Sequence, residues 1–171
     1  MLMINCATRE NAEGKTGEFY ARIPESLDIP TPVQVMSASA GIFERHAGII
    51  EYFGNHENLE FPILASIRYM AASLKGYTPC IDFNSKLLIS AGLEEAELET
   101  IVNNPLQAPF EKKECLLLGF VRKGILSPET INREDLQALK DEGWTEEDLV
   151  DALYHAASMD IAGTLSKAFT E

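Results

Sequence analysis

The residues best equipped for chemistry in this chain fall in one stretch, Tyr77-Thr78-Pro79-Cys80-Ile81-Asp82-Phe83-Asn84. Thr78 and Pro79 form a cap and first-turn pair, so Cys80 sits in the first turn of a helix. Unpaired backbone N–H groups and the helix dipole there favour an anion, which biases a thiol toward thiolate. Asn84 follows one turn later on the same face, together with Phe83, Leu87, Leu88 and Ala91. Its amide offers a hydrogen bond but no base. Tyr77, just before the helix, brings a phenol able to hydrogen-bond a ligand or an oxidised Cys80, although aromatic packing beside a turn is its more ordinary role. Cys80 itself has two readings, a reactive thiol and a small buried hydrophobe. The dipole lowers a thiol pKa by a term of about 0.3–1 kcal/mol, less than one pKa unit. Burial against Phe83, Leu87 and Leu88 opposes it and can exceed it, so a thiol slow toward peroxide is expected.

Positioning Cys80 requires the helices around it. Residues 61–74 carry apolar side chains at Ile63, Leu64, Ile67, Met70, Ala71 and Leu74, with Pro62 near the start and Gly76 suited to the left-handed residue that ends a helix. Residues 1–30, with Gly14, Gly17, Pro24 and Pro30, read as an extended amino-terminal arm whose Phe19, Tyr20, Ile23 and Leu27 pack on a neighbour. Residues 31–171 read as a single helical domain. Helical spacing begins at Thr31-Pro32 and recurs from Ile42 to Phe53. After Gly92 it resumes through Leu98, Ile101 and Val102, and then over residues 115–121, where Arg122 and Lys123 complement the helix dipole. Two more helices follow: residues 133–142 capped by Asn132, and a long one from Glu146 to about Phe169, with Thr145 and Asp148 spaced as a capping box. No segment alternates like a strand, so the fold class is all-α. The run Ala91-Gly92-Leu93-Glu94-Glu95-Ala96-Glu97-Leu98 is echoed 51 residues later by Glu142-Gly143-Trp144-Thr145-Glu146-Glu147-Asp148-Leu149. That echo is either ordinary helix punctuation or the trace of a duplicated helix pair.

Length and charge exclude several functions. A chain of 171 residues is long enough to bury a core without disulfide or metal staples. Fourteen Lys and Arg against 27 Asp and Glu give a net charge of −13, which repels nucleic acid and anionic membrane surfaces. The three cysteines, Cys6, Cys80 and Cys115, are odd in number and widely spaced, as in a reducing cytosol, and the amino-terminal residues lack the order of a secretory signal, so a cytoplasmic protein is expected. Cys115 beside three leucines reads as packing, and Cys6 could meet Cys80 only if the arm folded over it. His46, His56 and His155 share no metal-ligand spacing, and no phosphate-cradling or serine-hydrolase motif occurs, so neither a metal nor a cofactor is expected. His155 lies at helical spacing from Leu149, Ala152, Ala156 and Met159; it is either a core histidine or a group reaching toward Cys80 to supply proton transfer.

The stretch around Cys80 resembles the active-site segment of the alkylhydroperoxidase AhpD-like family, related to carboxymuconolactone decarboxylases. In that family an apolar helix with a glutamate leads into C-x-x-C-x-x-x-H at the start of the next helix. The resemblance spans roughly residues 37–169. It implies that Cys80 holds the place of the peroxide-attacking cysteine, Tyr77 that of the resolving cysteine, Asn84 that of the histidine and Ala65 that of the glutamate. It also implies an all-α AhpD-like fold with a two-fold internal helix-pair repeat, and a homo-oligomer. Two functions follow as expectations. One is a single-cysteine thiol-dependent peroxidase or oxidoreductase, in which Cys80 becomes a sulfenic acid and an external thiol reductant restores it. The other is a non-catalytic descendant that binds a small apolar ligand or serves as an oligomeric interaction protein.

Overall fold

A computed structural model describes residues 1–171. Its helices are α1 (Gly14–Ala21), α2 (Thr31–Ser37), α3 (Ala40–Gly54), α4 (Phe61–Lys75), α5 (Thr78–Ser90), α6 (Glu95–Asn103), α7 (Lys112–Leu126), α8 (Arg133–Asp141) and α9 (Glu146–Phe169), with short 3-10 turns at Pro105–Gln107 and Pro128–Thr130. The fold is all-α, as the periodicity requires, and the only β pairing is an isolated bridge between Leu2 and Thr170. The chain divides into two compact units, one of Met1–His56 with Ile161–Glu171, the other of Glu57–Asp160.

In the first unit the amino-terminal residues do not run as an extended arm. They carry α1, and Tyr20 is buried with Ile29, Val33, Met36 and Phe43, with Phe19, Ile23 and Leu165 packed against that cluster. The aromatic residues therefore find their apolar partners within the unit. Arg9 fixes the turn after α1 by donating from Nη1 to Tyr20 O at 2.9 Å and from Nη2 to Leu27 O at 2.9 Å. That one guanidinium also reaches Ile23 O and Pro24 O, so it ties together four carbonyls of this stretch.

The second unit is built on α4. Its buried residues, Ile63 to Ile67 with Met70, Ala71 and Ala72, pack against α5, α6 and α7. Gly76 (φ 68°) takes the left-handed conformation that ends α4, and the chain enters α5 two residues later. Caps at Asn132 and Thr145 are as read from sequence: Asn132 Oδ1 accepts from Glu134 N and Asp135 N, and Thr145 Oγ1 accepts from Asp148 N at 3.1 Å. One other assignment needs correction. Tyr77, not Thr78, is the residue before the first turn of α5, and no side chain caps that helix. Lys123 lies in the last turn of α7 and pairs with Asp135 at 2.6 Å, and Arg122 Nε donates to Val102 O at 2.9 Å near the end of α6. At both glycine turns of the sequence echo the backbone repeats: Gly92 and Gly143 have positive φ, and Leu93 N and Trp144 N each donate at 3.1 Å, to Leu88 O and Leu139 O.

Candidate functional site

Cys80 is the third residue of α5 and 6% exposed. Its backbone N–H already donates to Tyr77 O at 2.9 Å. Burial pushes its thiol pKa up from the ordinary value. The competition between dipole and desolvation is thus won by desolvation, and Cys80 stays a neutral thiol at neutral pH.

Asn84 is 3% exposed and both ends of its amide are engaged. Nδ2 donates to Cys80 O at 2.8 Å, and Oδ1 accepts from Arg68 Nε at 2.8 Å. The shared face of Cys80 and Asn84 is therefore present, but the amide bonds the cysteine's backbone and leaves the sulfur alone.

Arg68 is the residue the sequence reading missed. It lies on α4 one turn after Ala65 and one turn before Ala72, both 0% exposed, so its guanidinium stands in an otherwise apolar stripe. From there Nη1 meets His155 Nε2 at 2.8 Å while Nε holds Asn84. A guanidinium can only donate, so Nε2 of His155 is the acceptor and the ring is neutral with its proton on Nδ1. Burial lowers the Arg68 pKa from 12.5 to about 10, which still leaves it charged at neutral pH. The available signal was a lone arginine inside residues 61–74, an otherwise almost uncharged helix.

His155, on α9, is 2% exposed. The structure brings it to Arg68 and, through Arg68, into one chain with Asn84. Tyr77 goes elsewhere: its hydroxyl donates to Asp160 Oδ1 at 3.1 Å, and Asp160 also lies 3.7 Å from Lys75 Nζ. Burial and the Asp160 carboxylate push the phenol pKa up. All three cysteines are free thiols, and Cys115, 6% exposed, donates to Ala108 O at 3.3 Å. The centre that emerges is Arg68–Asn84–His155, one fixed positive charge flanked by two neutral acceptors, with Cys80 beside it on the backbone of α5.

No protein-family model matches the chain, and no curated protein matches it. Among solved structures it is similar to an uncharacterized peroxidase-related protein from Silicibacter sp. TM1040, with 14% identity, a TM-score of 0.79, and coverage of 98% of this chain and 89% of that one. It is also similar to an alkylhydroperoxidase AhpD core, an uncharacterized peroxidase-related protein from Ralstonia eutropha JMP134, with 14% identity, a TM-score of 0.76, and coverage of 98% and 90%. Likeness at that identity is a likeness of fold.

Proposed function

We propose that this chain, which has the AhpD-like all-α fold, is a small-molecule-binding protein whose working centre is Arg68–Asn84–His155, and that it has left thiol-peroxidase chemistry behind. The observation that carries this reading is the state of Asn84. A peroxidatic thiol needs a neighbour that takes its proton, and here the neighbouring polar side chain is an amide held at both ends, by Arg68 Nε and by Cys80 O. Ala65 supplies no carboxylate, Tyr77 no second sulfur, and the Cys80 pKa is raised by burial.

A second reading rests on one observation, the place of Cys80 in the first turn of α5. In it the thiolate attacks the outer oxygen of a hydroperoxide, the O–O bond breaks, the alkoxide takes a proton to leave as the alcohol, and Cys80 remains as a sulfenic acid. Two external thiols then reduce it, giving water and their own disulfide. Hydroperoxide consumption with dithiothreitol at pH 7 separates the two. The parent consuming peroxide no faster than Cys80→Ser supports the binding protein; turnover that requires Cys80 gives the ground to the oxidoreductase.

The reading extends to assembly and place of work. Val150 and Tyr154, one turn apart on α9, are 66% and 49% exposed, a stripe suited to a second copy in a homo-oligomer. Light scattering at micromolar concentration reads this, and a strict monomer overturns it. Three free thiols fit a reducing cytoplasm. No helix is long and apolar enough to cross a membrane.

A further inference from the structure

We propose that Arg68 anchors a binding site for the carboxylate of a small organic monoanion, and that Asn84 and His155 hold the guanidinium in the orientation that receives it. This rests on the centre described above and names its ligand class.

An arginine has five N–H donors, and the protein engages two of them: Nε with Asn84 Oδ1 and Nη1 with His155 Nε2, each at 2.8 Å. Both partners are neutral, so the positive charge has no carboxylate against it. The ion pairs of the surface show the contrast: Lys75 with Asp160 and Lys123 with Asp135 each join a cation to an acid. One Nη1 hydrogen and both Nη2 hydrogens remain, and these form the edge of the fork that takes the two oxygens of a carboxylate. Arg68 is half-buried, and its partnerless Nη2 is not sealed in, since the sole buried side-chain polar atom without a partner is Ser73 Oγ. That edge of the guanidinium therefore reaches accessible space. The charge is nevertheless poorly solvated, as its lowered pKa records. A desolvated, uncompensated cation held rigidly by two acceptors is a pre-organised anion site, since the acceptors fix the rotamer before any ligand arrives.

Charge narrows the ligand. One cation neutralises one negative charge; a phosphate dianion leaves a second charge among neutral groups, where desolvation is costly. The protein's net charge of −13 opposes anions at long range, a dianion more than a monoanion, so binding depends on this one fork.

The experiment titrates the full-length protein, in reducing buffer, with hexanoate, with its neutral counterpart hexanamide, and with inorganic phosphate. Calorimetry gives affinity, and the ring resonances of His155 report occupancy beside Arg68. The expected result is hexanoate binding that shifts the His155 signals, at least about tenfold weaker binding of hexanamide and phosphate, a loss of at least about tenfold in Arg68→Met, and partial retention in Arg68→Lys. Arg68→Lys keeps the charge, so it decides the matter if the methionine variant folds poorly. Equal binding of hexanoate and hexanamide with the His155 signals moving overturns the carboxylate class while the binding centre stands. No hexanoate binding, or binding unchanged in both Arg68 variants, overturns the site. Repeating the titration in Cys80→Ser separates this from the thiol question, because peroxide turnover in the parent defeats the binding-protein reading without touching the Arg68 result.

Discussion

The cost of keeping Arg68 charged makes a counterintuitive prediction about stability. A fall in pKa from 12.5 to about 10, at 1.36 kcal/mol per pKa unit, corresponds to about 3 kcal/mol of desolvation carried by the folded state. Asn84→Leu removes the acceptor of Arg68 Nε and strands a charged donor, a loss of about 1.5–3 kcal/mol, against about 1 kcal/mol regained by the buried leucine. The single variant is therefore weaker by about 0.5–2 kcal/mol. Arg68→Met alone relieves the desolvation but takes a donor from Asn84 Oδ1 and from His155 Nε2, at about 1–3 kcal/mol each, so it stays within about 3 kcal/mol of the parent. In the double variant the Asn84 penalty is gone. Arg68→Met should therefore stabilise the Asn84→Leu background by at least about 1.5 kcal/mol, a non-additivity beyond the usual scatter. Urea unfolding read through Trp144, the single tryptophan and 5% exposed within the Glu57–Asp160 unit, measures each corner of the cycle. Additivity within about 0.5 kcal/mol, or a double variant weaker than Asn84→Leu, refutes the account of Arg68 as an uncompensated charge.

Cys80 should react with iodoacetamide at a rate still climbing at pH 9.0, since burial holds the thiol pKa above that ordinary value; a plateau below pH 8 contradicts this. The His46 pKa is lowered by burial, so its contribution to stability is intact above pH 6.5 and lost as pH falls through its value in the fold. Hydrogen-exchange protection factors in α3, corrected for the slower intrinsic exchange in acid, should accordingly fall below pH 6.5. Asp148, 1% exposed, accepts from Asn58 Nδ2 at 3.1 Å and from Thr145 N and Oγ1 at 2.8 and 2.7 Å. Asp148→Ala should cost about 2–4 kcal/mol by thermal or urea unfolding, and a loss under 1 kcal/mol speaks against a structural role for that network. Gly17→Ala places a Cβ 2.8 Å from Ala12 O, a backbone atom that cannot swing aside, and should lower the stability of the first unit by about 1–3 kcal/mol despite alanine's better helix propensity.

The helices around the site were legible because apolar residues repeat at helical spacing and because Asn132, Thr145 and Gly76 are the residue types that ends of helices require. Side-chain chemistry at helix ends was less so. Thr78 looks like a cap, yet the entry from Gly76 leaves Tyr77 in that position and turns the threonine into the first helical residue. The amino-terminal helix was hidden by its glycines, read as breakers, although Gly17 lies inside α1 for the close approach of Ala12 O. Cys80 and Asn84 on one buried face followed directly from a spacing of four. Arg68 did not, because a charged residue in an apolar pattern is assigned to solvent by type, and only tertiary packing shows Asn84 and His155 waiting for its donors. His155 was singled out on the right helix, but its partner could not be found without the fold.

The division of the chain has a kinetic side. The second unit is continuous in sequence, whereas the first is assembled from segments separated by all of Glu57–Asp160, with Leu165 packing against a cluster drawn from residues 20–43. Contacts that close a loop of that length must bear its entropy before they return any burial, and the penalty grows as the logarithm of the open length. Once α4 to α8 have condensed, most of that loop no longer fluctuates. The order of events that minimises the barrier is therefore the middle of the chain before its ends: Trp144 should report refolding earlier than the Tyr20–Phe43 cluster, and a nick in the loop between α1 and α2 should slow the late phase while leaving the early one unchanged.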